Sequence, residues 1–211
     1  MDKMPTGKDF AEELLHILNV SNNECQVETE QSSKASETKY RIKGTSKIIL
    51  REDNSQTKKI ITAAHEVGHY INNRNNIVRF LVFKLTGIIL SAFVLLGIIA
   101  VVVNQFYFDI PFIVLLGIFI LCFVASFLAN YIKVKDEYRA NVKAFRLLCR
   151  HSDQFFKAKN DSRSWNSIQN ASKKQLKKGT QRYRESFYVL AIFGLSPIIL
   201  LMVLKFIDKI S

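Results

Sequence analysis

Three long apolar blocks constrain this chain more than any other feature of it. Residues 85–103, 111–132 and 186–204 number nineteen, twenty-two and nineteen without a single charge among them. Each approaches the length that crosses about 30 Å of hydrocarbon at about 1.5 Å per helical residue. Buried helices of soluble proteins seldom run beyond about 14 wholly apolar residues, so the first two blocks read as membrane helices. The third reads the same way, although Gly194 and Pro197 mark a place where it could break or re-enter. The expected fold class is therefore a mainly α membrane protein with about three transmembrane helices. Residues 1–76 are polar, with one amphipathic stretch around Phe10, Leu14, Leu15 and Leu18 and nothing resembling a signal peptide. On this reading the first membrane helix also acts as the targeting signal.

The charge distribution orients those helices. The net charge is +12, with thirteen Lys and Arg before residue 85, fifteen between 133 and 185, and none in the connection 104–110. The positive-inside rule then puts the N-terminal region and the later basic segment in the cytoplasm and Asp109 outside. The C-terminal tail, carrying Lys205 and Lys209, emerges outside if the third block spans. This divides the chain into a cytoplasmic part (1–76), a transmembrane hairpin (77–133), a cytoplasmic segment (134–185) and a final apolar segment with its tail (186–211). Lys173, Lys174, Lys177, Lys178, Arg182 and Arg184 form a basic loop suited to an anionic lipid surface, each residue worth about 1 kcal/mol there. Trp165 and Tyr183 make a poor stacking platform, so no nucleic-acid partner is expected. Cys25, Cys122 and Cys149 are odd in number and irregularly spaced, which suggests neither disulfides nor a cysteine metal site.

Chemistry concentrates in the stretch AAHEVGHY, residues 63–70. His65 and His69 are four residues apart with Glu66 after the first, so on a helix both imidazoles aim at one point. Zinc accepts neutral imidazole nitrogens at about 2.0–2.1 Å and keeps a position open for water, whose proton the adjacent glutamate can take. Asp53, Asn54 and Ser55 offer caps for a helix over residues 56–73, and Ala63, Ala64 and Gly68 let a second element approach it. Upstream, residues 39–42 and 47–51 flank Gly44-Thr45 as a β-hairpin. It serves either as a substrate edge or as a structural cover for the helix. The segment before it reads as a loop with at most a short strand at 25–29.

A catalytic zinc site needs a third protein ligand. Two membrane passes return the chain to the side of His65, where a helix from about Lys133 to Arg150 carries Glu137, the candidate ligand. Asn141 lies on the same helical face and could accept a hydrogen bond from a ligand histidine. Asp136 is the neighbouring alternative to Glu137, about 100° around the helix.

The H-E-x-x-H helix, the transmembrane hairpin and the following E-x-x-A-N helix (Glu137 to Asn141) together resemble the membrane-bound neutral zinc metallopeptidases of the gluzincin group. The likeness is nearest to the HtpX-like and YugP-like pattern and covers roughly residues 48–148. It implies a small α+β catalytic unit holding one Zn²⁺ per chain on His65, His69 and Glu137, with Glu66 as general base. Asn141 stands where the group usually has aspartate. Tyr138, Arg150 and His151 are the candidates for steadying the oxyanion. The function so implied is a zinc-dependent endopeptidase, multi-pass in the cell membrane with its active site facing the cytoplasm, cutting membrane-associated proteins or peptides. The competing function is a non-catalytic scaffold or immunity-type protein with a structural or vestigial metal site, which would have no use for an unliganded acid at Glu66.

Overall fold

The N-terminal helix α1 (Gly7–Ile17) begins at Thr6, which accepts from the Asp9 amide while the Asp9 carboxylate accepts from the Thr6 amide. This reciprocal capping satisfies two amide donors that would otherwise be orphaned. The helix buries Phe10, Ala11, Leu14 and Leu15, a stripe at helical spacing. Strand β1 (Cys25–Glu30) follows, then β2 (Glu37–Lys39) and β3 (Ser46–Arg51). The structure, a computed structural model, describes residues 4–208; the side chains at 183, 186, 187, 190, 191 and 208 fall outside that description, as does Lys209 in the C-terminal tail.

The three strands form one sheet in the order β1-β3-β2, so the expected hairpin is present with a further strand beside it. β1 runs parallel to β3, pairing Val27 with Ile48, and β2 runs antiparallel, pairing Thr38 with Ile48. The hairpin's first arm lies at 37–39 instead of 39–42. Arg41 donates its amide to the Ser46 hydroxyl at 3.1 Å, so the chain leaves the strand before the end of the expected arm, while Gly44 takes a left-handed φ of 85° within the expected turn.

Helix α2 (Thr57–Asn75) carries the paired histidines. Its N-cap is Gln56, with no side-chain cap bond. The expected cap Asp53 is engaged elsewhere, accepting the Lys8 amide of α1 at 2.9 Å, and Asn54 closes a turn onto the Gln56 amide. One residue, Asn76, separates α2 from α3 (Ile77–Phe106). Helix α4 (Phe112–Ala158) is continuous for 47 residues through both the second apolar block and the E-x-x-A-N segment. No glycine or proline lies between Gly117 and Ala158 to interrupt it. Helix α5 (Trp165–Asp208) likewise runs unbroken through Gly194 and Pro197. The expected basic loop is consequently helical from Trp165 onward, started by Ser164 and Ser167, each accepting from the other's amide.

The chain divides into two compact units. The first, Met1–Ile77 with Asp136–Gln181, closes around Phe10, Leu14, Ile48, Ile60, Val67, Leu148, Phe156 and Ile168, all at most 2 % exposed. The second, Val78–Lys135 with Arg182–Ser211, contains small clusters such as Val101, Leu115, Phe119 and Leu201. In it, Gly194 sits so close to Ser126 of α4 that a Cβ would collide with its hydroxyl. α3 and α4 are both long and apolar enough to cross a membrane, and only 22 % and 28 % of their most apolar stretches are buried. A core helix of a soluble protein would be mostly covered, so these exposures fit a membrane protein. The apolar part of α5, Ile192–Ile207, is shorter than a full span among the described residues.

Candidate metal centre

Helix α2 turns Ile60, Ile61, Ala64, Val67 and Ile71 into the first unit's core. His65 and His69 occupy the face left over, stacked one turn apart with ring centroids 4.7 Å apart and planes nearly perpendicular. That face meets α4. Gly68 makes the approach feasible, because a Cβ there would lie 2.7 Å from the backbone oxygen of Ala140. On α4 the residues Glu137, Ala140, Asn141, Ala144 and Leu148 are all buried, a stripe at helical spacing that delivers the Glu137 carboxylate to the histidines.

The three donor atoms form a nearly equilateral triangle. His65 Nε2 lies 3.2 Å from His69 Nε2, and Glu137 Oε2 lies 3.3 Å from the first and 3.4 Å from the second. Bonds of about 2.0–2.1 Å to a tetrahedral zinc require ligand atoms about 3.3–3.4 Å apart. Two imidazole nitrogens and a carboxylate oxygen at that spacing suit such an ion in both chemistry and geometry. Among the described residues this is the one group of three that could hold a metal.

The groups around the triangle fix its members. Asp136 Oδ2 lies 3.2 Å from His69 Nδ1, so the residue weighed as the alternative to Glu137 meets the far side of a ring in the triangle. The adjacency of Asp136 and Glu137 was a usable signal for this, since a ligand histidine needs an acceptor at its second nitrogen. Burial disfavours a charged His69, but the Asp136 and Glu137 carboxylates outweigh it and push the metal-free imidazole up to about 10. Glu137 is held down to about 2 by the two histidines, against the effect of its own burial.

Glu66 is 5 % exposed and holds no place in the triangle. Its carboxylate accepts from the Thr38 hydroxyl of β2 at 2.7 Å, and the same hydroxyl lies 2.9 Å from the Glu66 carbonyl oxygen. Among the described residues β2 is an edge strand, paired only with β3. Nothing in the residue pattern singled out Thr38, because its contact with Glu66 depends on the register of β2.

Asn141 is 8 % exposed and spends both amide hydrogens on α5, donating to the Leu176 carbonyl at 3.0 Å and the Thr180 hydroxyl at 2.6 Å. Its Oδ1 is buried without a hydrogen-bond partner, as is Nδ1 of His65. The oxyanion candidates lie apart from the triangle. Tyr138 is 59 % exposed and points about 100° away from Glu137. Arg150 and His151 lie thirteen and fourteen residues farther along the continuous α4, about 20 Å at 1.5 Å per residue. α4 thus does not bring them to the triangle.

Residues 35–159 match the sequence model of peptidase family M48, a stretch of well over half the chain that contains every member of the triangle together with Glu66 and Thr38. No curated protein and no solved structure matches the chain significantly.

Proposed function

The chain belongs to peptidase family M48, a family of metal-dependent peptidases, and on that premise we propose that it is an integral-membrane zinc endopeptidase with one Zn²⁺ per chain. The observation that carries this reading is the donor triangle of His65, His69 and Glu137, with its edges of 3.2, 3.3 and 3.4 Å. Bound there, zinc supplies Lewis-acid polarisation of the scissile carbonyl and acidifies the attacking water.

The remaining chemistry belongs to side chains of this protein. Glu66 takes a proton from the water as its oxygen attacks the peptide carbonyl, then passes it to the amide nitrogen as the C–N bond breaks. Thr38 holds the Glu66 carboxylate in one orientation by its 2.7 Å bond. Asp136 accepts from His69 Nδ1, which keeps the Nε2 lone pair directed at the metal. Asn141, one turn along α4 from Glu137, keeps its Oδ1 unengaged, the kind of acceptor that His65 Nδ1 needs. An extended substrate can pair with the free edge of β2 and so bring its backbone past Glu66.

The apolar helices anchor this unit in a membrane. The fifteen Lys and Arg between 133 and 185 support a cytoplasmic position for it, where its substrates would be membrane proteins or peptides. Lys173, Lys174, Lys177 and Lys178 are exposed on α5 and suit anionic lipid headgroups. Metal analysis of detergent-purified protein tests the site. One equivalent of zinc is expected in the wild type and none in His65→Ala or Glu137→Ala, whereas retention of zinc by both variants contradicts the ligand set.

A further inference from the structure

The contacts between the sheet and α2 run in order along both. Near the start of α2, Lys59 Nζ donates to the Arg51 carbonyl at 2.9 Å; at mid-helix Thr38 meets Glu66; farther on, the Tyr40 ring lies 6.0 Å from that of Tyr70. In the last turn Arg74 pairs at 3.2 Å with Glu24, the residue before β1. The β2–β3 turn, residues 40–45, is tied to the Asn23 carbonyl by the Thr45 hydroxyl at 2.9 Å. It is therefore carried to the end of α2 from which the chain enters α3. At 30 residues, α3 is about 45 Å long, the thickness of a hydrocarbon core with both headgroup layers, so a spanning α3 begins at headgroup level with Ile77. Tyr70 is seven residues behind Ile77, at most about 10 Å along the helix. Ile42 extends two residues, up to about 7 Å, beyond Tyr40.

Among the described residues of the first unit, four large apolar side chains are exposed: Met4, Ile42, Ile77 and Tyr138. Ile77 and Tyr138 lie close to the points where the chain passes to and from the apolar helices, as membrane-bordering residues do. Ile42, 49 % exposed, is brought to that end by the sheet and not by its place in the chain. It stands between two exposed cations, Arg41 and Lys43, which enter no ion pair among the described residues. An aliphatic tip between two cations suits the boundary of an anionic leaflet, where the apolar group is buried and the charges stay among the headgroups.

We propose that the β2–β3 turn is a membrane-docking loop: Ile42 enters the boundary between headgroups and acyl chains of an anionic leaflet, and Arg41 and Lys43 pair with its headgroups. The proposal rests on the membrane anchoring proposed above and not on the zinc reading. Docking there ties the β2 edge to the bilayer, because Thr38 is only four residues from Ile42 on the same hairpin arm. Substrate backbone would then meet Glu66 at a fixed height over the lipid.

Site-specific fluorescence in nanodiscs tests it on the full chain in a Cys149→Ser background, Cys25 and Cys122 being buried. An environment-sensitive fluorophore is attached at Ile42→Cys, at Ser33→Cys in the connection at the opposite end of the sheet, or at Ile88→Cys in the apolar part of α3. The discs contain phosphatidylcholine and phosphatidylserine, with or without nitroxide-labelled lipid. The probes at 42 and 88 should show blue-shifted emission that the nitroxide quenches, and the probe at 33 neither. Quenching at 88 but not at 42, or equal quenching at 42 and 33, would overturn the docking loop. A blue-shifted probe at 42 that nitroxide lipid leaves unquenched would do the same, since it places a protein surface such as a second copy over Ile42. Absence of quenching at 88 would instead overturn the membrane reading beneath the proposal. Each cation strengthens docking on an anionic leaflet about fivefold, so Arg41→Gln with Lys43→Gln should weaken it about 25-fold and abolish the quenching at 42. Quenching that survives this double change, or that is as strong in discs of phosphatidylcholine alone, would overturn the headgroup pairing.

Discussion

Two carboxylates meet His69 at opposite ends of its ring, Asp136 at Nδ1 and Glu137 at Nε2. In the metal-free protein this arrangement favours an imidazolium, which carries a signed consequence for stability. His69 is raised from its ordinary 6.5 to about 10, so its contribution is fully present below pH 6.5 and is lost as pH rises through 10. Glu137 is lowered from 4.5 to about 2, so its contribution is present above 4.5 and is lost as pH falls through 2. The chelated protein should accordingly show its highest Tm between about pH 4.5 and 6.5, with a decline toward pH 10. Zinc replaces the His69 proton, so adding zinc should remove most of the alkaline decline and release a proton on binding at neutral pH. A metal-free Tm that stays flat from pH 6.5 to 10 would contradict the assignment of these partners.

The element that makes the cluster is the crossing of α2 and α4, and its tightest point is Gly68 against the Ala140 backbone. Gly68→Ala places a methyl 2.7 Å from a carbonyl oxygen that cannot rotate away, so the helices must separate. The expected cost is about 1–3 kcal/mol of stability. Zinc affinity should fall with it, because Glu137 moves with α4; chelator competition and thermal unfolding on one sample measure both, and an unchanged affinity would show that the crossing does not set the triangle. The sequence reached this arrangement unevenly. The spacing of His65 and His69 and the helical phase of Glu137 and Asn141 are local properties, readable from a 3.6-residue period. The register of β2, which carries Thr38 to Glu66, and the parallel pairing of β1 with β3 come from contacts distant in the chain. The length of α4 was legible in principle from the lack of any Gly or Pro between 118 and 158. The change from apolar to charged residues at Lys133 disguised it, since hydropathy ends a membrane segment without ending a helix. Asp53 shows the same limit, with a capping residue for α2 by position engaged on Lys8 of α1 by packing.

At the scale of the whole molecule, the apolar stretches of α3 and α4 leave side chains such as Leu85, Ile88, Leu95 and Ile113 more than half exposed, a surface that water disfavours and lipid accepts. The connection between these helices carries Asp109 and no basic residue, which predicts its position outside the cell. In a Cys149→Ser background, an impermeant thiol reagent should label Tyr107→Cys in intact cells and Asn170→Cys only after permeabilisation; the reverse pattern contradicts a cytoplasmic site. The claim that joins residue, element and membrane is that Glu66 performs the chemistry while others hold the metal. The most direct measurement compares wild type and Glu66→Gln for zinc content and for cleavage of an unfolded protein substrate in detergent. One zinc per chain is expected in both, with a loss of cleavage of at least about a hundredfold in the variant, the scale of a general base. Undiminished cleavage by a zinc-loaded Glu66→Gln protein would contradict it.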